Sequence, residues 1–166
     1  MPITITPITL DRVPAYHRVL DSVARERKYL SMLEAPPRDK SIAYVERMLV
    51  QDNVFFLALD DDQVVGWCDI DRHERPSRHH AGNLGMGLLA DYRGEGLGKR
   101  LLEKAIAGAW QRGLTRVELT VYRSNPKAIN LYTRLGFREE GTMQEAAKID
   151  GVYLDMIFMA LLKHQA

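Results

Sequence analysis

The amino-acid sequence predicts an α/β domain in which helices are layered against a single sheet. Apolar runs typical of strands alternate along the chain with patterns of helical period, as in layered α/β folds. The 166 residues are 46% hydrophobic and 27% charged, proportions typical of one domain with a buried core. No internal repeat, low-complexity tract or linker interrupts them, so we expect a single domain over residues 1–166.

The first third of the chain is predicted to form one strand and two helices. Three isoleucines suggest the strand, at Ile3, Ile5 and Ile8. Helical patterns cover Asp11–Leu33 and Ser41–Gln51, with a pair of prolines between them. Ser41 suits the N-cap of the second helix. The apolar side chains expected on the buried side of that helix are Ile42, Val45, Met48 and Leu49.

A β-hairpin is predicted next, from Val54–Leu59 and Val64–Ile70. Its turn carries three aspartates at positions 60–62, but it lacks the glycine and distal glutamate of a calcium-binding loop. We therefore interpret the turn as solvated. The single cysteine, Cys68, lies in the second strand, where packing is its expected role. One cysteine excludes an intrachain disulfide and a cysteine-based metal cluster.

A glycine-rich loop, Arg93–Gly98, joins a predicted strand at Asn83–Leu89 to an amphipathic helix at Leu97–Gln111. Alternate glycines let backbone N–H groups turn toward a ligand, and the start of a helix adds unpaired N–H groups and a positive dipole end. The loop therefore suits a phosphate group, with Arg93 as an added cation at its mouth. Its spacing fits neither a P-loop nor a dinucleotide fingerprint. A glycine turn without a ligand remains the alternative at this point.

The remaining elements are two strands, a short helix between two turn signals, and a further strand. The strands are predicted at Arg116–Tyr122, Phe137–Met143 and Tyr153–Leu161. The helix begins at Pro126, with Ser124 or Asn125 as its N-cap, and ends before Gly136.

Two motifs follow one another across a helix and a strand. The first is Arg-x-x-Gly-x-Gly at residues 93–98, where a helix begins. The second is Ser124–Phe137, an asparagine followed by a short helix carrying Leu131-Tyr132 and then Gly136-Phe137. In this order they resemble the motifs of the GCN5-related N-acetyltransferase (GNAT) superfamily, over residues 83–160, while residues 1–75 match only in general layout. The resemblance implies a mixed, mostly antiparallel sheet, splayed at the CoA site and flanked by about four helices.

The resemblance also implies a donor, acetyl-CoA, with its pyrophosphate on the glycine loop and its pantetheine arm along the preceding strand. The residues implied to bind it are Met86, Gly87, Leu88, Arg93, Gly94, Glu95, Gly96, Leu97, Gly98, Lys99, Asn125 and Asn130. Asn125 and Asn130 equally suit a helix cap and a polar helix face. Tyr132 matches the position whose phenol acts as general acid toward the thioester sulfur; a core aromatic is the alternative, since Ala128 and Leu135 share its helical face.

The general base stays unassigned. Members of the superfamily often use a glutamate or a water chain at the strand before the loop, but Asn83–Leu88 contains no carboxylate. Water could carry the proton of the amine to solvent. Alternatively, a carboxylate from elsewhere in the chain could accept it, and the candidates are Glu26, Asp69, Asp71 and Asp155. Glu26 and Asp155 are also candidates for contacting the acceptor, because Glu26–Leu30 and Asp150–Asp155 resemble segments of bacterial relatives that acetylate amino acids or phosphinothricin-like compounds.

Composition argues against several other partners. The formal net charge is +1 without a basic run, no apolar run approaches the ~20 residues of a membrane span, and the five histidines show no metal-ligand spacing. The N-terminus lacks the charged and apolar regions of a signal peptide. We therefore expect a cytoplasmic protein without nucleic acid, membrane or metal.

Together these observations predict an N-acetyltransferase that moves an acetyl group to a primary amine of a small molecule, an amino acid or its analogue, by direct attack in a ternary complex. A protein N-terminus or lysine is the alternative acceptor. A CoA-binding sensor or interaction module without turnover is the alternative outside the enzymes. The surroundings of Met86–Leu88 could also admit acyl groups larger than acetyl. A homodimer is an option because many relatives form one.

Overall fold

The structure, a computed structural model, describes residues 2–166, which form one seven-stranded sheet and four α-helices. The strands are β1 Thr4–Pro7, β2 Val54–Asp60, β3 Gln63–Arg72, β4 Ala81–Leu88, β5 Arg116–Tyr122, β6 Arg138–Ile149 and β7 Val152–Leu162. The helices are α1 Val13–Arg25, α2 Arg38–Val50, α3 Leu97–Gln111 and α4 Pro126–Arg134. The strand order is β1-β2-β3-β4-β5-β7-β6. The predicted α/β class and strand complement are confirmed.

The sheet is split between β4 and β5. These neighbours are parallel, and their pairing within the described residues is limited to three pairs, from Ala81↔Arg116 to Asn83↔Glu118. All other neighbouring strands are antiparallel. Beyond Asn83, β4 continues to Leu88 along β3 while β5 follows β7. The sheet is therefore mixed, mostly antiparallel and splayed at the end of β4, as expected.

Each face of the sheet has its own core. Side chains alternate along a strand, so β3 presents Cys68 and Ile70 to one face and Trp67 to the other. The face with Cys68 packs against α3 and α4; the face with Trp67 packs against α1 and α2. The predicted stripe of α3 is buried at Leu97, Leu101, Leu102, Ala105, Ile106 and Ala109. The split between β4 and β5 can therefore be lined by different side chains on the two faces of the sheet.

The predicted helix over Asp11–Leu33 is wrong at its C-terminal end. Helix α1 ends at Arg25, and Arg27 adopts a positive φ of 58°, which cannot continue a right-handed helix. The Arg27 guanidinium instead bonds both oxygens of Asp150, at 2.9 and 2.8 Å. The helix therefore ends at this turn, and the Arg27 side chain reaches a residue far away in sequence.

Three details of α2 and β6 also differ from expectation. Helix α2 begins at Arg38, because Pro37 supplies the extended residue before it, so Ser41 lies inside the helix and is not its N-cap. Val45 and Met48 are buried as expected, whereas Ile42 and Leu49 are exposed. Strand β6 extends past Met143 to Ile149, because its pairing with β7 resumes after a bulge between Met143 and Ala147.

Candidate functional site

The glycine loop has the geometry of an anion cradle. Gly94 and Gly96 have φ values of +86° and +83°, and a Cβ at either would meet no atom of the described chain within 4 Å. Gly96 is the N-cap of α3, and no side chain among residues 2–166 caps that helix. The first N–H groups of α3 are thus left for a ligand, and a negatively charged group is the one that a helix N-terminus favours. The loop therefore suits an anionic group.

The predicted donor residues of β4 meet the start of α3 beside the split. A Cβ at Gly98 would lie 3.5 Å from Leu131, 3.6 Å from Leu88 and 3.7 Å from Met86, ordinary contact distances. Met86 and Leu88 project onto the α3 and α4 face of the sheet. A backbone segment at Met86–Leu88 therefore runs toward the loop with its β5 edge left open by the splay.

Arg93 is not an unpaired cation at the mouth of the loop. Its guanidinium donates to both carboxylate oxygens of Glu26, at 2.9 and 2.5 Å, and to the Leu88 carbonyl at 3.0 and 2.7 Å. It also lies 4.7 Å from the centre of the Tyr29 ring. The Glu26 hydrogen bonds raise the pKa of Arg93, and the same bonds lower the pKa of Glu26. Arg93 thus ties the segment after α1 to the end of β4.

The remaining loop residues are solvent-facing. Glu95 is exposed, and Lys99 lies on the exposed side of α3, 3.8 Å from Glu103. Such an exposed pair contributes little to stability, so the Lys99 ammonium is free to reorient toward an anion on the loop.

The second motif supplies a cap and a buried phenol. Asn125 is the N-cap of α4, because its Oδ1 accepts from the Ala128 N–H at 3.3 Å, while Asn130 is exposed on the same helix. Tyr132 is 8% exposed, with its ring centre 5.6 Å from that of Phe137. Burial, with a contribution from Cys68, raises the pKa of Tyr132 well above its usual range. Its phenol therefore holds its proton throughout neutral and moderately alkaline pH.

A pocket of about 360 Å³ lies on the opposite face, between the sheet and the α1–α2 region. Its walls include the apolar side chains of Leu20, Leu30, Met32 and Trp67. Met86 contributes to the pocket as well as to the donor strand, so the pocket adjoins the split. A more open pocket of about 530 Å³, beside Arg72 and His73, contains none of the predicted site residues.

The four candidate bases have different surroundings. Asp69 lies in the pocket and is 6% exposed, and the Tyr44 hydroxyl donates to its Oδ2. Burial raises the pKa of Asp69 to about 7, although the Tyr44 hydrogen bond opposes that shift. Asp71 also lines the pocket, but Arg47 donates to both of its oxygens, at 2.9 and 2.7 Å.

The other two candidates lie in structural contacts. Glu26 is the partner of Arg93 described above. Asp155 accepts from the Glu145 N–H at 2.8 Å, a contact that holds the bulge in β6. The segments containing Glu26 and Asp155 do meet, but through Arg27 and Asp150.

Sequence reasoning missed three features of the pocket. Tyr44 holds Asp69, and Gly85 faces Asp69 across the β3–β4 pair. The Ser41 hydroxyl is buried at the pocket and has no hydrogen-bond partner in the described part of the chain. Glycines inside a strand mark a close approach of another group, so Gly85 and Gly87 were the available signal. No group of three His, Cys, Asp or Glu side chains suited to a metal ion occurs within residues 2–166. Nor do these residues include a helix long and apolar enough to cross a membrane.

Comparison with known proteins places these features in context. The acetyltransferase (GNAT) family model matches residues 18–137. The chain is 32% identical over 152 residues to the L-amino acid N-acetyltransferase AaaT of Escherichia coli, covering 89% of this chain and 92% of that protein. A GNAT-family acetyltransferase of Streptococcus pneumoniae superimposes with a TM-score of 0.91 at 26% identity, covering 97% of this chain and 99% of the other. A phosphinothricin acetyltransferase of Sinorhizobium meliloti in complex with AcCoA gives a TM-score of 0.91 at 19% identity, covering 98% and 89%.

Proposed function

Because the chain belongs to the GNAT family of acetyltransferases and is an N-acetyltransferase, we propose that it acetylates the primary amine of a small molecule, an amino acid or its analogue. The observation that carries this proposal is the pocket beside the split sheet. Its volume of about 360 Å³ lies at the lower end of the roughly 300–1,000 Å³ typical of small-molecule sites. The relative that is 32% identical is named for L-amino acids, which supports the same acceptor class.

The proposed donor site joins the glycine loop to the open edge of β4. Positive φ at Gly94 and Gly96 lets the N–H groups of the loop and of α3 face one anion, and Lys99 adds a cation nearby. The open edge at Met86–Leu88 offers backbone groups to an extended, amide-bearing chain, as a sheet edge does to a peptide, except at the Leu88 carbonyl, which already accepts from Arg93. Acetyl-CoA carries both a pyrophosphate and such a chain. The loop and the strand together support it as the donor.

The proposed reaction is direct attack of the amine on the thioester. Tyr132 lies on the α4 face and is protonated at neutral pH, so it has a proton to give to the departing thiolate, although its raised pKa makes it a weaker acid than a free tyrosine. The acceptor pocket lies on the opposite face, so attack and departure take place on either side of the split. Cys68 is fully buried, and burial raises the pKa of its thiol well above its usual range. An acyl-enzyme on Cys68 is therefore disfavoured, since the thiolate is the nucleophile.

Mass-spectrometric product detection tests this proposal. Acetyl-CoA would be offered with amino acids, phosphinothricin-like analogues, polyamines, aminoglycosides and N-terminal or lysine-bearing peptides, to the wild type and to Tyr132→Phe. An acetylated amino acid or analogue that fades in the variant is the expected result. An acetylated peptide would show that the acceptor is a protein N-terminus or lysine and not a small molecule. Saturable acetyl-CoA binding without any product would favour a CoA-binding sensor without turnover. The proposal includes a cytoplasmic enzyme and a homodimer, which cell fractionation and light scattering would test.

A further inference from the structure

The acceptor pocket contains one carboxylate whose position is set by the strand register. Asp69 pairs with Gly85 across β3 and β4, so both residues face the pocket side of the sheet. A Cβ at Gly85 would lie 3.1 Å from Asp69 Oδ1. The absence of a side chain at Gly85 thus leaves Asp69 Oδ1 directly over the β4 backbone, one residue before the Met86–Leu88 edge.

Tyr44 fixes the orientation of this carboxylate. Its hydroxyl donates to Asp69 Oδ2, which leaves Oδ1 toward β4. The Tyr44 ring is held edge-on by Phe55, with centroids 6.2 Å apart, and by the Arg47 guanidinium, 5.3 Å from the ring centre. The carboxylate is therefore positioned before any substrate arrives.

The ionisable neighbours of Asp69 come from three elements. Tyr16 of α1 and Tyr44 of α2 are phenols whose pKa values burial raises, so both remain neutral. Asp71 of β3 is an acidic neighbour that raises the pKa of Asp69, and Arg47 of α2 pairs with it. Among residues 2–166, no cation pairs with the buried carboxylate of Asp69, which lies in a pocket that has an apolar wall. An ammonium group is the cation that such a site lacks.

We propose that Asp69, oriented by Tyr44, is the group that accepts the proton of the incoming amine, which approaches over Gly85; the inference rests on the proposed function. Asp69 takes one proton from the ammonium group, leaving a neutral amine. The nitrogen lone pair then forms the C–N bond as the C–S bond breaks, and the sulfur takes the Tyr132 proton. The second nitrogen proton returns through water to the Tyr132 phenolate, and Asp69 releases its proton to solvent.

The test is the pH dependence of kcat/KM for the acceptor at saturating acetyl-CoA. The wild type should lose about tenfold per pH unit below pH 7, because the pKa of Asp69 is about 7. Asp69→Asn keeps an oxygen for the Tyr44 hydroxyl and should remain folded. It should move the acidic limb from near pH 7 up to the pKa of the acceptor's own ammonium group, because only the free amine then reacts. It should also lose ~10²-fold or more in kcat, with acetyl-CoA affinity by calorimetry unchanged.

Two further variants separate catalysis from structure. Tyr44→Phe removes a hydrogen bond that lowers the pKa of Asp69, so the acidic limb should move to higher pH. Asp71→Asn removes a neighbouring carboxylate that raises the pKa of Asp69, so it should move the limb the other way, to lower pH. An acidic limb that stays near pH 7 in Asp69→Asn would overturn the inference while leaving the proposed function intact. A wild type without any amine product would overturn the proposed function, and the inference with it.

Discussion

The buried carboxylate at Asp69 should make the protein less stable as the pH rises, and Asp69→Asn should remove that penalty. The ordinary pKa of 3.8 applies in the unfolded chain, whereas burial raises the pKa of Asp69 to about 7 in the folded protein. Between these values the folded state keeps a proton that the unfolded state has released. Stability therefore falls as pH rises through this window, and the penalty is complete above pH 7.

The size of the effect follows from the shift. A difference of about 3 pH units corresponds to ~4 kcal/mol, at ~1.4 kcal/mol per unit. Asparagine cannot ionise, so the free energy of unfolding of Asp69→Asn relative to wild type should rise by ~4 kcal/mol between pH 4 and pH 8. All other ionisable groups are shared, so their contributions cancel in this difference.

Urea unfolding followed by circular dichroism, at several pH values from 4 to 8, measures this difference directly. Glu140→Gln is a suitable control, since its carboxylate is largely solvent-accessible and pairs with Arg116, which lowers the pKa of Glu140. That control should change in the opposite direction, losing stability relative to wild type as pH rises. Parallel curves for wild type and Asp69→Asn would show that Asp69 carries no buried charge, and the reasoning would fail.

Three further predictions concern the donor site and the reaction. Gly96→Val should weaken acetyl-CoA binding at least tenfold, ~1.4 kcal/mol. Gly113→Val is the control: its φ is +80° against +83° at Gly96 and the space around it is equally free, so it should bear the same backbone strain without losing affinity. Equal affinities of the two variants by calorimetry would exclude the loop as the phosphate site. Tyr132→Phe should lower kcat by ~10²-fold at unchanged donor affinity. The control, Tyr122→Phe, removes a buried hydroxyl that has no hydrogen-bond partner in the described chain, so it should keep kcat and gain ~1 kcal/mol in stability. Unaffected turnover in Tyr132→Phe would make Tyr132 a packing residue. Initial rates against both substrates should give intersecting reciprocal plots, and parallel lines would instead indicate a covalent intermediate and return attention to Cys68.

The C-terminal half of the fold could be predicted from sequence because local signals decide it. The bounds of α3 and β5 match those predicted from apolar periodicity. Asn125 caps α4 and Gly136, with φ of +97°, ends it, as the turn chemistry predicted. In each case neighbours within a few residues determine the conformation.

The candidate base could not be chosen from sequence because its surroundings are distant in the chain. Asp69 and Asp71 are two residues apart on one strand face, and local sequence treats them alike. The difference comes from α2, where Arg47 neutralises Asp71 and Tyr44 orients Asp69. The end of α1 was missed as well; there Arg27 adopts a positive φ and its side chain pairs with the distant Asp150.

The register between Asp69 and Gly85 has an evolutionary consequence. Side chains at these two positions would occupy one space, since a Cβ at Gly85 already lies 3.1 Å from Asp69 Oδ1. A carboxylate can therefore be supplied to that space from β3 or from β4, but the facing residue must then be small. In an alignment of related sequences, we expect the carboxylate either at the position of Asp69 or at that of Gly85, with glycine at the other of the two positions. The exchange Asp69→Gly with Gly85→Asp should accordingly return the acidic limb toward neutral pH, from the higher pH to which Asp69→Gly alone moves it. A limb that stays at the higher pH would show that β4 cannot supply the carboxylate in place of β3.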